Sequence, residues 1–423
     1  MTTPPAVVET PPATTSAVPL RVVYFNYEWD LRESSGAATH IAELGDGLRA
    51  LGHHVVGIGR RALPAPTGDA KPASRAVSSG WRGRLSPYLH EAAAVSRALR
   101  GIAAEEAILR RERPDVVLTR YSLHQFSSLV AARRVGLPLV FELNAPVGYE
   151  YRKYLRQFRL VPGLAEWSEI RTLGAADGMF VVSNPLRDHL IARGLPADHI
   201  AVVPNGADAE RFGPDVVDHD MRARFGNRVV VGFVGSFASF HGVDTLRRLI
   251  TSVAPTRPDV AFLLVGGGKL ADQLRADCQA LGLEDRIHFT GYVTRDRVPA
   301  LVGAMDVVVA PYQPHDFFYF SPIKLFEYMA AGRAVVAASL GQIAEVLNES
   351  TGRLYDPNDP DALARQVVRL VEDAETRAAL GHAARRAVET SYTWAHNAAR
   401  VAATLQRAVA ARRAAPTPLR NGA

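Results

Sequence analysis

A single cysteine, Cys278, stands in 423 residues, which excludes an internal disulfide framework and a thiolate metal cluster. It falls in a helical pattern within Leu270 to Leu281, where a packing role is expected. Charge of one sign is not concentrated: 49 basic and 43 acidic residues leave a net +6. That balance suits an anionic ligand or surface, and no nucleic-acid partner is expected, since that would ask for a concentrated basic stripe. Residues 1–18, rich in Pro, Thr, Ala and Val, lack a basic start and a continuous apolar core. They resemble neither a signal peptide nor a membrane span, so a disordered tail and a cytoplasmic protein are expected. Residues 413–423, with Pro416 and Pro418, are expected to form a second loose end.

At 48% hydrophobic the chain is long enough for two domains with separate cores. Strand-like runs alternate with helical patterns, the signature of α/β doubly wound sheets. In the first half the runs are 22–25, 54–57, 115–118, 137–141, 178–182 and 200–203; in the second they are 228–234, 261–265, 287–290, 306–310 and 334–337. The division is placed near Phe212-Gly213-Pro214-Asp215, giving domains 19–208 and 209–391, followed by a helix over 392–412. Ligands of such sheets bind beyond the carboxyl ends of the strands, so two domains facing across a cleft are expected. Residues 66–88, rich in Gly, Pro, Arg and Ser, read as a mobile loop.

The stretch Ser321-Pro322-Ile323-Lys324-Leu325-Phe326-Glu327-Tyr328-Met329 follows the strand 306–310 and reads as a helix over 322–331 opened by Pro322. Lys324 and Glu327 share one helix face. A helix start offers unpaired N–H groups and partial positive charge, and an ammonium beside it deepens the well for a diphosphate. Glu327, a turn on, can accept from the vicinal hydroxyls of a ribose. Alone, an exposed Lys–Glu pair of small energetic value explains the same residues.

The order of motifs along the chain, however, resembles family 4 of the retaining glycosyltransferases, of GT-B fold. Arg21 to Phe25, then Ser35-Gly36-Ala37, are similar to its first strand and glycine loop; Leu51 to Val56 to the next strand; Val202 to Asp208 to the turn before the donor half. Gly235-Ser236-Phe237-Ala238-Ser239-Phe240-His241-Gly242 resembles its phosphate loop, and Phe289 to Val293 its base-binding turn. The resemblance implies two Rossmann-like domains, a donor-side second half, and a last helix returning to the first. It implies a UDP-linked hexose as donor and a glycan, glycolipid, lipid-linked or small-molecule acceptor. The donor-binding residues it implies are Gly36, Gly235, Ser236, His241, Gly242, Tyr292, Val293, Tyr319, Ser321, Pro322, Ile323, Lys324, Leu325 and Glu327.

The chain departs from the family's pattern at several places. The phosphate loop usually carries an Arg after its first glycine and a Lys before its last, where this chain has Ser236 and His241. His241 then donates to the diphosphate most strongly when protonated, with Lys324 supplying fixed charge. The earlier of the family's paired glutamates is replaced by Tyr319, inside the aromatic run His315 to Phe320, which could wall the hexose. Where family members often place a His, Val140-Phe141-Glu142-Leu143-Asn144 has Asn144, which can bond a hydroxyl but cannot shuttle a proton. Glu142 reads equally as an acid or as a buried structural group.

No cofactor and no metal are expected. The Asp-x-Asp matches Asp218-His219-Asp220 and Asp359-Pro360-Asp361 sit in polar linkers, where turns and helix starts explain them. Retention in the family is described as a same-face displacement in which the departing phosphate helps take the proton, so no firm general base is named. Tyr151 to Leu160 interleaves aromatic and basic residues and reads as a solvated helix face or a peripheral contact with the inner membrane face. Arg120, Tyr121 and His124 are further candidates to line the site. Other readings are a same-fold epimerase or phosphorylase, a non-catalytic nucleotide-sugar-binding subunit, and a dehydrogenase suggested by Gly266-Gly267-Gly268-Lys269-Leu270-Ala271.

Overall fold

The computed structural model describes residues 18–27, 36–59, 81–155 and 163–414. The expected tails over 1–17 and 415–423, the residues around Ser35, the loop over 66–80 and the second half of the 151–160 stretch lie outside them. Arg413 and Ala414, assigned above to the loose end, are the last residues of a helix.

Strands β1 (Arg21–Asn26), β2 (His54–Gly59), β3 (Val116–Arg120), β4 (Leu139–Leu143), β5 (Gly178–Val181) and β6 (Ile200–Val202) form a parallel sheet in the order β2-β1-β3-β4-β5-β6. Strands β7 (Val229–Val234), β8 (Val260–Val265), β9 (Ile287–Gly291), β10 (Val307–Ala310), β11 (Ala334–Ala338) and β12 (Arg353–Tyr355) form a second, ordered β12-β11-β10-β7-β8-β9. Both are α/β doubly wound sheets. Strands such as β4, β8, β10 and β11 are buried along their whole length, which suits continuous Val, Leu and Ala runs covered on both faces. The edge strand β12 was not expected, because Arg353-Leu354-Tyr355 is short and opens on a charge.

The helices that position the site are α1 (Gly36–Ala50), α2 (Trp81–Glu112), α3 (Val243–Val253), α4 (Lys269–Ala280), α5 (Ile323–Ala330) and α6 (Trp394–Ala414). Residues 81–88, read above as the end of a loop, form the first turns of α2. Cys278 is a buried free thiol on α4, and burial pushes it up to about 11.

The chain separates into two compact units, dividing at Val203/Pro204 and again at Asn397/Ala398. The first division precedes the expected linker for a physical reason. Asn205 donates its N–H to Ser321 Oγ (2.8 Å) and Ala207 pairs with Thr393, so this turn is held by the second unit. Past Ala398, α6 buries Val401, Leu405 and Val409 in a cluster with Leu20, Val22, Ile41 and Val140. The first unit's core is therefore completed by the end of the chain. In each sheet the strand order reverses once, between β1 and β3 and between β7 and β10, and crevices form outside the carboxyl ends at such points.

Candidate functional site

In the second unit, the segments leaving β7 and β10 meet at the reversal. Gly235 ends β7 with φ 152° and Gly242 precedes α3 with φ 74°. A Cβ on Gly242 would lie 1.3 Å from the Pro311 carbonyl oxygen, and one on Gly235 would lie 2.6 Å from Lys324 Nζ. Only glycine allows both approaches. The glycine run 266–268 belongs here as well: Gly235 N–H donates to Val265 O and Phe237 N–H to Gly267 O, each at 3.0 Å. That interlocking accounts for its glycines without a dinucleotide.

Lys324 lies in the first turn of α5, its Nζ buried and without a hydrogen-bond partner. The nitrogen sits 4.4 Å from the Phe233 ring centre and 5.5 Å from that of Tyr312. Burial pulls the amine down to about 7, against the pull of the Glu327 carboxylate. An amine enclosed by rings, with its donors unspent, has the capacity to bind an anion. Pro322 is extended and caps the helix from outside, so the helix opens at Ile323, one residue later than its sequence suggests.

His241 is constrained at Nδ1, which is 2.8 Å from the Ser236 carbonyl oxygen and 3.0 Å from Ser236 Oγ. A carbonyl only accepts, so Nδ1 carries the hydrogen and the neutral ring offers a lone pair at Nε2. Burial, helped by the Lys324 charge, lowers the imidazole to about 4. This revises the expectation of a histidine titrating near neutrality: without a ligand, His241 is neutral. Ser236 itself is exposed.

Other expected donor residues are placed unequally. Tyr292 is 79% exposed, its ring covering Gly267, and Val293 packs at the core margin. Ser321 is buried and accepts from the Asn205 N–H, while its carbonyl takes Asn205 Nδ2 at 2.5 Å. The Leu325 side chain is wholly inside the core and its N–H donates to the Pro322 carbonyl. Tyr319 is fully buried against Phe317 and Phe320. Ile323 and Glu327 are half-buried on α5. At the carboxyl ends of β10, β11 and β12 a cavity of about 570 Å³ is lined by His315, Asp316, Tyr355, Asp356 and Asn358, among others.

In the first unit, Gly36 is exposed at the start of α1. Glu142, on β4, is fully buried. Its carboxylate accepts from Arg120 Nη1 at 2.6 Å, from the Tyr24 hydroxyl and from Asn144 Nδ2, with His40 Nε2 at 3.1 Å. Burial would raise its pKa, but Arg120, His40 and the hydrogen bonds hold it at about 2. Glu142 is thus an ionised carboxylate at neutral pH, without a proton to give. Apart from Asn144, two residues on, its partners come from β1, α1 and β3, so no local spacing could have revealed them.

The Asp-x-Asp matches have structural employment. Asp218 caps a helix by accepting from Met221 N–H at 3.0 Å and pairs with Arg297; Asp359 takes the Asp361 N–H and pairs with Arg365. Among the described residues no group of three or more His, Cys, Asp and Glu could hold a metal ion. In the 151–160 stretch, Arg152 pairs with Glu166 at 3.0 Å and Lys153 donates to the Tyr149 hydroxyl. Among the described residues no helix is long and apolar enough to cross a membrane.

Two parallel-sheet units, one with two glycines beside a buried amine at its strand-order reversal, have the architecture of the GT-B fold. A sequence model of Glycosyltransferase Family 4 matches residues 34–211, and one of Glycosyl transferases group 1 matches 228–373. The chain belongs to glycosyltransferase family 4. It is 28% identical over 346 residues to 2-deoxystreptamine glucosyltransferase of Streptomyces kanamyceticus, covering 79% of this chain and 87% of that one. It is 28% identical over 297 residues to a sulfoquinovosyl transferase of Arabidopsis thaliana, covering 68% of this chain. A GDP-mannose-dependent phosphatidylinositol monomannoside mannosyltransferase of Mycobacterium tuberculosis is 30% identical over 253 residues, 58% of this chain. The chain spans 55% and 66% of the length of these last two relatives. Among solved structures, sucrose-phosphate synthase of Thermosynechococcus elongatus superposes with a TM-score of 0.69 at 20% identity, covering 92% of this chain and 99% of that one. HepE of Anabaena, bound to UDP, gives 0.64 at 18%, covering 91% and 99%. At these identities the structural likeness speaks for the fold.

Proposed function

We propose that this glycosyltransferase is a retaining, metal-independent enzyme that moves a hexose from a UDP-linked donor to a glycan, glycolipid or specialised-metabolite acceptor. The enclosed Lys324 amine, unpartnered beside Gly235 and the start of α5, carries the reading. A diphosphate oxygen placed there would meet the ammonium and the first N–H groups of the helix together. Support for metal independence comes from Asp218 and Asp359, whose oxygens cap backbone and pair with arginines. For UDP, support comes from relatives of the fold, HepE being named with UDP and with UDP-glucose. For the acceptor, the relatives' names range from an aminocyclitol to a phosphatidylinositol mannoside, and contact with the inner membrane face would suit the latter. The resemblance implies that the departing phosphate helps take the acceptor's proton, and support comes from Glu142, whose anchored carboxylate at about 2 is too weak a base for that task.

The test is thermal unfolding with UDP, UDP-glucose, GDP and GDP-mannose, on the wild type and on Lys324→Met. A ligand at ~100 times its Kd stabilises by about 2.7 kcal/mol, or roughly 5–10 °C at about 2–4 °C per kcal/mol for domains of this size. UDP and UDP-glucose are expected to give that shift in the wild type and to lose it in Lys324→Met. The variant's own Tm at pH 6.5 is expected to rise by a few degrees, since a buried unpaired charge is removed. No shift with any of the nucleotides would refute the donor site.

A further inference from the structure

The cavity of about 570 Å³ at the carboxyl ends of β10, β11 and β12 has none of Gly235, Gly242 and Lys324 in its lining, and every residue that lines it belongs to the second unit. Its size suits a small molecule of one or two rings. The walls contributed by Leu340, Leu354 and Pro357 are apolar, and the polar groups between them are mostly acceptors. Asp356 Oδ1 takes the backbone N–H and Nδ2 of Asn358, at 2.9 and 3.0 Å. A carboxylate only accepts, so the Asn358 amide is held with its nitrogen inward, and Asp356 Oδ2 and Asn358 Oδ1 are left open. Asp316 brings a second carboxylate, and among the described residues that line the cavity there is no Lys and no Arg. Tyr355, the last residue of β12, lines the same cavity. It is 3% exposed, and its enclosed hydroxyl makes no hydrogen bond. A buried phenol ordinarily has a partner, so this one keeps capacity for a ligand.

We propose that this cavity is a second small-molecule site, which takes a polyhydroxylated cation of the aminocyclitol or amino-sugar class. Ammonium and hydroxyl groups supply the donors that the two carboxylates and the Asn358 amide oxygen need, a ligand hydroxyl pairs with Tyr355, and ring C–H faces pack on the leucines and Pro357. An anion is turned away by the same two charges. The contrast lies within one unit. Phe320 stands 6.2 Å from His315 of the cavity and 6.4 Å from Phe240, next to His241, so a site for cations neighbours the anion site built around the Lys324 amine. The inference goes beyond the donor reading and does not depend on it.

The probe is 2-deoxystreptamine, a cyclitol with two amines, titrated calorimetrically into the full chain at pH 7 beside myo-inositol, an uncharged cyclitol. The wild type is expected to bind the diamine at least about tenfold more tightly than the inositol, and raising the salt from about 0.05 M to about 0.5 M is expected to shrink that margin. Asp316→Asn and Asp356→Asn keep side-chain size and, at 356, an oxygen to hold Asn358. Each is expected to weaken the diamine about five- to tenfold and to narrow its margin over the inositol. Tyr355→Phe is expected to weaken both probes about threefold or more. Asp316 and Asp356 are exposed, so their variants are expected to keep the Tm of the wild type, which separates loss of the site from loss of the fold. Equal binding of the two probes, or a diamine affinity untouched by either aspartate substitution, overturns the proposal. Added UDP-glucose distinguishes the sources of such a ligand: a diamine that is consumed is an acceptor, one that stays intact is an effector, and each outcome supports the site. A chain that binds the diamine and no nucleotide supports this site and refutes the donor reading alone.

Discussion

Lys324 ties the site to solution conditions through one proton. In the folded, ligand-free chain burial brings its amine to about 7, whereas the unfolded chain keeps the proton to pH ~10.4. Between those values the unfolded state binds more protons, so this group makes stability rise with pH across the window. A bound diphosphate favours the protonated amine, so donor affinity runs the opposite way. The Kd of UDP-glucose, whose phosphates do not titrate here, is expected to be flat below pH 7. Above it, Kd rises towards roughly tenfold per pH unit, and calorimetry at pH 6, 7, 8 and 9 reads this directly. A Kd constant to pH 9 would show that the amine does not meet the phosphates. His241, neutral and held at Nδ1, is expected to contribute through Nε2 only once an anion has raised its affinity for a proton. Much of this was visible in the order of residues: Pro322, Lys324 and Glu327 keep helical spacing after a strand, and Gly235 and Gly242 frame a loop. The full burial of the Leu325 side chain was not legible, because an apolar residue at a helix start serves a core or a ligand equally well. Three of Glu142's four partners were hidden for another reason: Tyr24 lies 118 positions away from it, Arg120 lies 22, and His40 stands on α1.

At the scale of elements, β-branched runs such as Val307-Val308-Val309 announced their strands because both faces are covered and no polar alternation is needed. β12 was silent, with Arg353 on an edge where a charge is tolerated. The start of α2 was masked by Gly83, Ser86 and Pro87, which read as loop residues although the helix runs through them. The contact of the turn before α3 with the segment after β10 is steric and therefore sharp. Gly242→Ala sets a methyl group into the Pro311 carbonyl at a left-handed φ. A loss of about 3 kcal/mol is expected as a lowered urea midpoint, together with weakened UDP binding, since the displaced strand end carries the run into α5. Ser321→Ala is milder. It strands the buried Asn205 N–H and is expected to cost about 1–3 kcal/mol by the same measurement.

For the whole chain, the two units differ in what completes them. Residues 204–397 hold their own sheet, the glycines at 235 and 242 and Lys324, so expressed alone they are expected to fold and to show the UDP-induced rise in Tm. A chain ending at Asn397 has the reverse fault: Val22, Ile41 and Val140 lose the cover of Val401, Leu405 and Val409. Its first unit is expected to lose cooperative unfolding and expose apolar surface, read by dye binding alongside the intact chain. The ion pairs Arg412–Asp177 and Arg413–Asp115 add a last attachment of the same helix. Because that helix is synthesised after the whole of the second unit, the first unit's sheet closes only once the residues past Ala398 have been made. During translation its sheet waits, partly uncovered, while the second unit is made, so depletion of chaperones is expected to lower the yield of the first unit's fold before that of the second.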